Sequence, residues 1–189
     1  MLDRARSAWA RASSGTGSLT LIEHDLTTLD LAERFDLVML ALNSLLVLPG
    51  SAAQERALRV MRAHLAPGGR ALVDVWLPTK DDLELYDGRQ VLDWIRTDPD
   101  TNERIAKTTV ARYDAATGTA QLSTTFDIAG DTGQSRSISR TDTITFITKD
   151  DLLVAAKRVG LEPVSVLGDY TGTAWSEASE RVVLIARAR

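Results

Sequence analysis

Two almost uninterrupted apolar runs constrain this chain more than any other feature. They are Phe35-Asp36-Leu37-Val38-Met39-Leu40-Ala41-Leu42 and Ala71-Leu72-Val73-Asp74-Val75-Trp76. Both fall far short of the roughly 18 apolar residues that a membrane-spanning helix needs. Neither alternates apolar with polar residues, so each reads as a strand covered on both faces, the mark of a parallel sheet flanked by helices.

The stretches around these runs fit that grammar. Met1 to Ala12 predicts a helix with Leu2, Ala5, Ala8 and Trp9 on one face. Ser13 to Ser18 ends it, and Leu19 to Ile22 predicts a short strand that stops at Glu23-His24-Asp25. Ser51 followed by Gln54 has the spacing of a capping box, with Ala57, Leu58, Met61 and Leu65 as the apolar stripe of the helix it opens. Pro67-Gly68-Gly69 stops that helix. Thr148 with Asp151 marks another helix start, Gly160 its end, and Val164 to Leu167 and Val182 to Ala186 the last two strands.

Between these α/β blocks the period changes. Leu122, Thr124, Phe126 and Ile128 alternate with Gln121, Ser123, Thr125 and Asp127, as in a strand with one wet face. Thr117-Gly118 before it and Gly130 to Gly133 after it are turn signals. With Ile105 to Tyr113 and Ser137 to Ile147 they predict a three-stranded antiparallel meander. The reading is one domain, residues 1–189, with an antiparallel insertion over 89–147.

Composition narrows the function classes. The chain has 189 residues, 22 Lys+Arg against 26 Asp+Glu, a formal charge of −4 and no Cys. An acidic balance argues against a nucleic-acid partner or an anionic membrane surface. Zero Cys removes disulfides, thiolate metal sites and a Cys nucleophile. The N-terminus has no apolar stretch of secretory type, and the expectation is a soluble cytoplasmic protein. Two widely spaced histidines, His24 and His64, offer no metal-ligand spacing, and no metal is expected. His64, at a helix end, is read as a cation facing the helix dipole.

In order and spacing, these blocks resemble the class I S-adenosylmethionine-dependent methyltransferases. LTLIEHDLTTLDL (Leu19 to Leu31) resembles the family's third strand and its acidic end. RFDLVMLALNSLLVL (Arg34 to Leu48) is similar to the fourth strand and the loop under the cofactor. HLAPGGRALVDVW (His64 to Trp76) resembles the Pro-Gly-Gly turn and fifth strand, Lys149 to Tyr170 the last helix and sixth strand, and RVVLIARAR the antiparallel seventh. The meander resembles the substrate-covering insertion of small-molecule N-methyltransferases.

The resemblance implies a Rossmann-like sheet with an antiparallel C-terminal strand pair. It implies S-adenosylmethionine as cofactor, held by Asp25, Leu26, Leu42, Asn43 and Ser44, and a small-molecule amine or hydroxyl as substrate, lined by Trp76, Arg140 and Tyr170. No catalytic residue is assigned. Asp36 and Asp74 read as structural, Asp74 through a buried hydrogen bond. One departure stands out: the family opens with a strand and a GxGxG turn, whereas Met1-Leu2-Asp3-Arg4-Ala5-Arg6 resembles a helix from later in the fold, and no GxGxG occurs. The expected fold is therefore incomplete at its N-terminus, with an uncovered strand edge that favours a homo-oligomer. A second reading is a catalytically incompetent domain acting as a dimer or partner subunit. A third, a nicotinamide-dependent oxidoreductase, needs the same absent glycine turn.

Overall fold

The structure, a computed structural model, describes residues 2–12, 17–130 and 134–189. Met1, most of the Ser13 to Ser18 stretch and most of the Gly130 to Gly133 turn lie outside the described residues. Among the described residues two four-stranded sheets hold eight strands. The first contains β1 (Phe35–Leu40), β2 (Leu65–Trp76), β7 (Leu161–Leu167) and β8 (Arg181–Ala188), in the order β1-β2-β8-β7. β1 runs parallel to β2, and β8 lies antiparallel to both β2 and β7.

Alternation along β2 and β8 explains where the core sits. Ala71, Val73 and Val75 are buried on one face of β2, beside Val182, Leu184 and Ala186 of β8. Ala53, Ala57, Leu58 and Met61 of α2 (Gly50–Ala63), with Leu152 and Ala156 of α4 (Lys149–Arg158), cover that face and complete one hydrophobic cluster. On the opposite face Leu37 and Met39 of β1 are 52% and 54% exposed. α1 (Leu2–Ala12) keeps its apolar stripe but buries none of its residues.

The Pro-Gly-Gly turn works differently from the expectation. It lies inside β2 as an irregularity, so Phe35 faces Leu65 while Leu37 faces Arg70. Gly68 has φ +82, and a Cβ on Gly69 would stand 2.8 Å from the Phe35 carbonyl oxygen. The helix starts one residue before Ser51, with Pro49 as N-cap and no side-chain cap. Thr145 Oγ1 accepts from the Gly50 N–H at 3.0 Å, so a residue 95 positions away replaces the local cap. Gln54 is thereby free to be buried, donating to the carbonyls of Leu45 and Thr145.

The second sheet is an uninterrupted antiparallel meander, β3 (Asp87–Thr97), β4 (Arg104–Asp114), β5 (Thr119–Ala129) and β6 (Ser135–Thr145). It has four strands rather than the expected three. Two register shifts in β3 break its alternation, which hides it from a period-2 reading. α3 (Lys80–Glu84) precedes it, opened by a Thr79–Asp82 capping box. The Thr148–Asp151 start of α4 forms as expected, the Asp151 N–H donating to Thr148 Oγ1 at 3.1 Å.

Leu19 to Ile22 is not a strand. Among the described residues no strand pairs with it, and Leu19 and Ile22 stay 40% and 50% exposed. A strand exists only through its pairing, so an isolated apolar alternation remains irregular chain. His64 also departs from the expectation. It is 3% exposed, its Nε2 accepts from the Leu31 N–H at 2.8 Å and its Nδ1 lies 2.7 Å from the Val60 carbonyl oxygen. An accepting Nε2 leaves the ring one proton, on Nδ1, so His64 fastens the 17–34 segment to α2 instead of presenting a cation.

Candidate functional site

Polar groups converge where β1 and β2 end, the edge of a parallel pair at which open α/β sheets bind ligands. After Leu40 the chain turns through Leu42 and Asn43, both left-handed with φ 55 and 61. Asn tolerates this conformation, but a Leu there is uncommon and must be held. Three anchors hold it. The Leu42 N–H donates to Asp74 Oδ2 at 3.1 Å, Asn43 Oδ1 accepts from the Trp76 N–H at 2.7 Å, and Ser44 Oγ donates to the Ala41 carbonyl at 2.6 Å. The turn is thus fastened to the end of β2, and the Leu42 side chain is 85% exposed.

Asp74 is completely buried. A buried carboxylate needs a partner, and Arg181 of β8 supplies it, Nη1 donating to Oδ1 at 2.5 Å. The Arg181 guanidinium also lies 5.3 Å from the centre of the Tyr170 ring and donates to the Tyr170 hydroxyl at 3.4 Å. Hydrogen bonding to Asp74 is the main cause that raises the Tyr170 phenol above its ordinary value. Trp76 meets Phe146 edge-on at 5.9 Å, and Phe146 meets Tyr113 of β4 at 6.0 Å. This aromatic chain joins the two sheets beside the turn.

The structure therefore brings together Leu42, Asn43, Ser44, Trp76 and Tyr170. The three other expected positions, Asp25, Leu26 and Arg140, stand apart. Asp25 is exposed, and its Oδ1 accepts from the Thr27 N–H and hydroxyl at 2.7 and 2.8 Å. Those two bonds hold its carboxyl below the usual range. Arg140 sits in β6 and pairs with Asp142 at 2.7 Å. Leu26 borders a small apolar groove with Val38, Leu40 and Met61, a cavity of about 160 Å³ along the free edge of β1.

Sequence reasoning assigned no role at this turn to Arg181, Phe146 or Tyr113. A signal for the first was present: Asp74 is a charge inside an apolar strand, and such a charge demands a cation from a neighbouring strand. Among the described residues no three His, Asp or Glu side chains converge as metal ligands.

No protein-family model matches the chain, and no curated protein matches it. Solved structures do. A S-adenosylmethionine-dependent methyltransferase from Clostridium acetobutylicum superposes with a TM-score of 0.79 at 14% identity, over 99% of this chain and 70% of that one. The CcbJ methyltransferase from Streptomyces caelestis gives 0.72 at 23% identity, over 99% and 70%. The sugar N-methyltransferase KedS8 from Streptoalloteichus gives 0.72 at 23% identity, over 97% and 67%. The strand order β1-β2-β8-β7, its antiparallel C-terminal pair and these superpositions together give the chain the Rossmann-like fold of the class I S-adenosylmethionine-dependent methyltransferases.

Proposed function

We propose that this chain carries the C-terminal part of a small-molecule methyltransferase site that uses S-adenosylmethionine. The observation that carries the reading is the left-handed Leu42–Asn43 turn, fastened to β2 through Asp74 and the Trp76 N–H at the carboxyl edge of the parallel pair. The substrate would be an amine or hydroxyl, and the setting cytoplasmic.

The residues present fit one end of the cofactor. Asp25 Oδ1 is taken by Thr27, but the exposed carboxylate has a second oxygen for an adenine amine, with Leu26 beside it at the mouth of an apolar groove. Leu42, Asn43 and Ser44 would line the middle of the molecule. The methionine end lacks a GxGxG turn in this sequence. When bound, the cofactor supplies a methyl group on a positively charged sulfur. The chain's own contribution is placement: Asn43 and Asp74 fix the turn, Trp76 and Phe146 form an apolar wall, and Tyr170 with Arg181 sets a polar rim. Transfer of a methyl by in-line displacement needs orientation more than a covalent nucleophile. The β3–β6 sheet, with Arg140, would cover the substrate.

Saturation-transfer NMR with S-adenosylhomocysteine tests this reading. Transfer to the adenine protons, lost in Asp25→Ala, supports it. An absence of transfer to any part of the ligand overturns it. A second reading, a catalytically incompetent domain working as a dimer or partner subunit, is favoured by the open edge and half-exposed face of β1.

A further inference from the structure

Residues 17–34 carry Asp25 and Leu26, yet none of these eighteen residues is buried. Their hydrogen bonds close on the segment itself: the Thr27 and Thr28 N–H groups donate to Asp25, and Arg34 Nη1 donates to the carbonyls of Leu31, Ala32 and Glu33. Among the described residues one hydrogen bond ties the segment to the rest of the chain, from the Leu31 N–H to His64 Nε2 at 2.8 Å. Leu26, Leu29 and Leu31 form one wall of the apolar groove of about 160 Å³, and residues of β1 and α2, with His64, form the rest. The ring of His64 commits both nitrogens, and they need opposite things. Nδ1 lies 2.7 Å from the Val60 carbonyl oxygen, which only a donor can satisfy, so the single ring proton sits there and Nε2 accepts. A second ring proton turns Nε2 into a donor facing the donor of Leu31, and the bond is lost. At 3% exposure His64 is held too deep for its ring to turn freely away.

We infer that His64 is a positioning residue for the cofactor, and that it holds residues 17–34 against α2 only while its ring is neutral. This deepens the cofactor reading above and rests on it. The neutral ring is the accepting form, so the attachment is complete at high pH and is released as pH falls and the ring charges. Release frees the wall that Leu26 gives the groove and lets Asp25 drift from it. The charged groups around the ring are Asp30 and Arg34 on the segment and Arg56 and Arg59 on α2, while β1 offers the uncharged Phe35. Imidazole is the side chain that ordinarily changes charge between about pH 5 and 8, and the chain has one other, His24. His24 adjoins Asp25, with Nδ1 3.1 Å from the Asp25 carbonyl oxygen, and is therefore the group to control. Asp25 itself stays ionised over this interval, because its bonds from Thr27 hold the carboxyl below its usual range.

An NMR titration from about pH 8 to about pH 5 tests the device in two arms. The first needs no ligand. The Leu31 amide shift and the backbone relaxation of residues 17–34 should change together, with the midpoint at which the His64 ring protons titrate. His64→Gln places an amide oxygen the same number of bonds from Cα as Nε2, so it keeps an acceptor for Leu31 that does not titrate, and its segment should stay fastened throughout. His64→Leu should leave the segment loose at every pH, and His24→Gln should respond as the unaltered chain does. The second arm follows S-adenosylhomocysteine by saturation transfer. Its dissociation constant should rise about threefold to tenfold on acidification, the worth of one lost hydrogen bond, and should not rise in His64→Gln. A Leu31 amide indifferent to pH, a His64 that stays neutral down to about pH 5, a response that vanishes in His24→Gln, or a His64→Gln chain as responsive as the unaltered one overturns the inference. So does a ligand constant that holds steady while the segment loosens. Absence of any transfer at every pH, with the Leu31 response intact, instead sinks the cofactor reading and with it the role of His64 toward a ligand.

Discussion

Asn43 Oδ1 accepts a hydrogen bond from the backbone N–H of Trp76 at 2.7 Å, tying the turn after β1 to the last residue of β2. One side chain thereby serves two needs. It satisfies a strand-end donor, and it belongs to a residue type that tolerates φ 61. Asn43→Ala removes both and should lower stability by about 1–3 kcal/mol, from a lost hydrogen bond and a strained left-handed Ala. Asn43→Gly restores the conformational freedom and should recover part of the loss. Urea unfolding curves for the three chains measure the order; equal midpoints for Ala and Gly would show that left-handed strain contributes nothing.

Arg181→Met should be more damaging than its position at a strand end suggests. It strips the cation from the fully buried Asp74 carboxylate, a loss of roughly 3–5 kcal/mol. The double change Asp74→Leu with Arg181→Met should recover much of that, because it leaves no unpaired buried charge. Thermal unfolding of the single and double variants checks the recovery.

The Tyr170 phenol should titrate above its ordinary value of 10 in ultraviolet difference spectra, and Asp74→Asn should bring it back toward that value. The sign follows from the bonding. The neutral phenol is the form favoured in the fold, so its contribution is present below the unfolded value and is lost as pH rises through the raised one.

Asp169 gives the opposite case. The side chains of Thr173 and Thr171, then backbone bonds to both, lower its pKa to about 2. Its Oδ1 accepts from the Thr171 N–H and hydroxyl, each at 2.8 Å, and from the Thr173 N–H at 3.1 Å. The ionised form belongs to the fold, so this contribution is complete above the unfolded value of 3.8 and disappears as pH falls through about 2. Carboxyl carbon shifts followed by NMR from pH 5 to about 1.5 should place the midpoint near 2, and Asp169→Asn should loosen the turn that follows Tyr170.

Neighbouring glycines should answer substitution unequally. Gly69→Ala sets a Cβ 2.8 Å from the Phe35 carbonyl and 3.0 Å from that of Ala66, so β1 must shift away from β2. Overpacking of this kind costs about 1–3 kcal/mol. Gly68→Ala meets open space and bears only the cost of its positive φ, about 1 kcal/mol. Denaturant midpoints, with hydrogen exchange along β1, separate the two.

The strands of the first sheet were legible because their burial is local information: Ala71 to Trp76 and Val182 to Ala186 are apolar whichever neighbours they meet. The same holds for the Thr148–Asp151 start of α4, whose partners are three residues apart. What escaped depended on distant partners. Thr145 caps Gly50 from another sheet, which no spacing around Ser51 could reveal. Leu19 to Ile22 has the composition of a strand but nothing to pair with. At the candidate site, Asp74 stood out as a charge in an apolar run, while its partner Arg181 lies 107 residues away and is indistinguishable in sequence from any surface arginine.

The place of β8 has a consequence for biosynthesis. Among the described residues it is the last of eight strands in chain order, yet it lies in the interior of the first sheet between β2 and β7. The β3–β6 meander consists of consecutive neighbours and can form as it leaves the ribosome. The first sheet cannot, because β2 and β7 meet only through residues 181–188. During translation the nascent chain therefore carries a finished meander beside an open half-sheet until its final strand emerges. A ribosome stalled just short of Arg181 would hold a chain whose Asp74 carboxylate still lacks its cation.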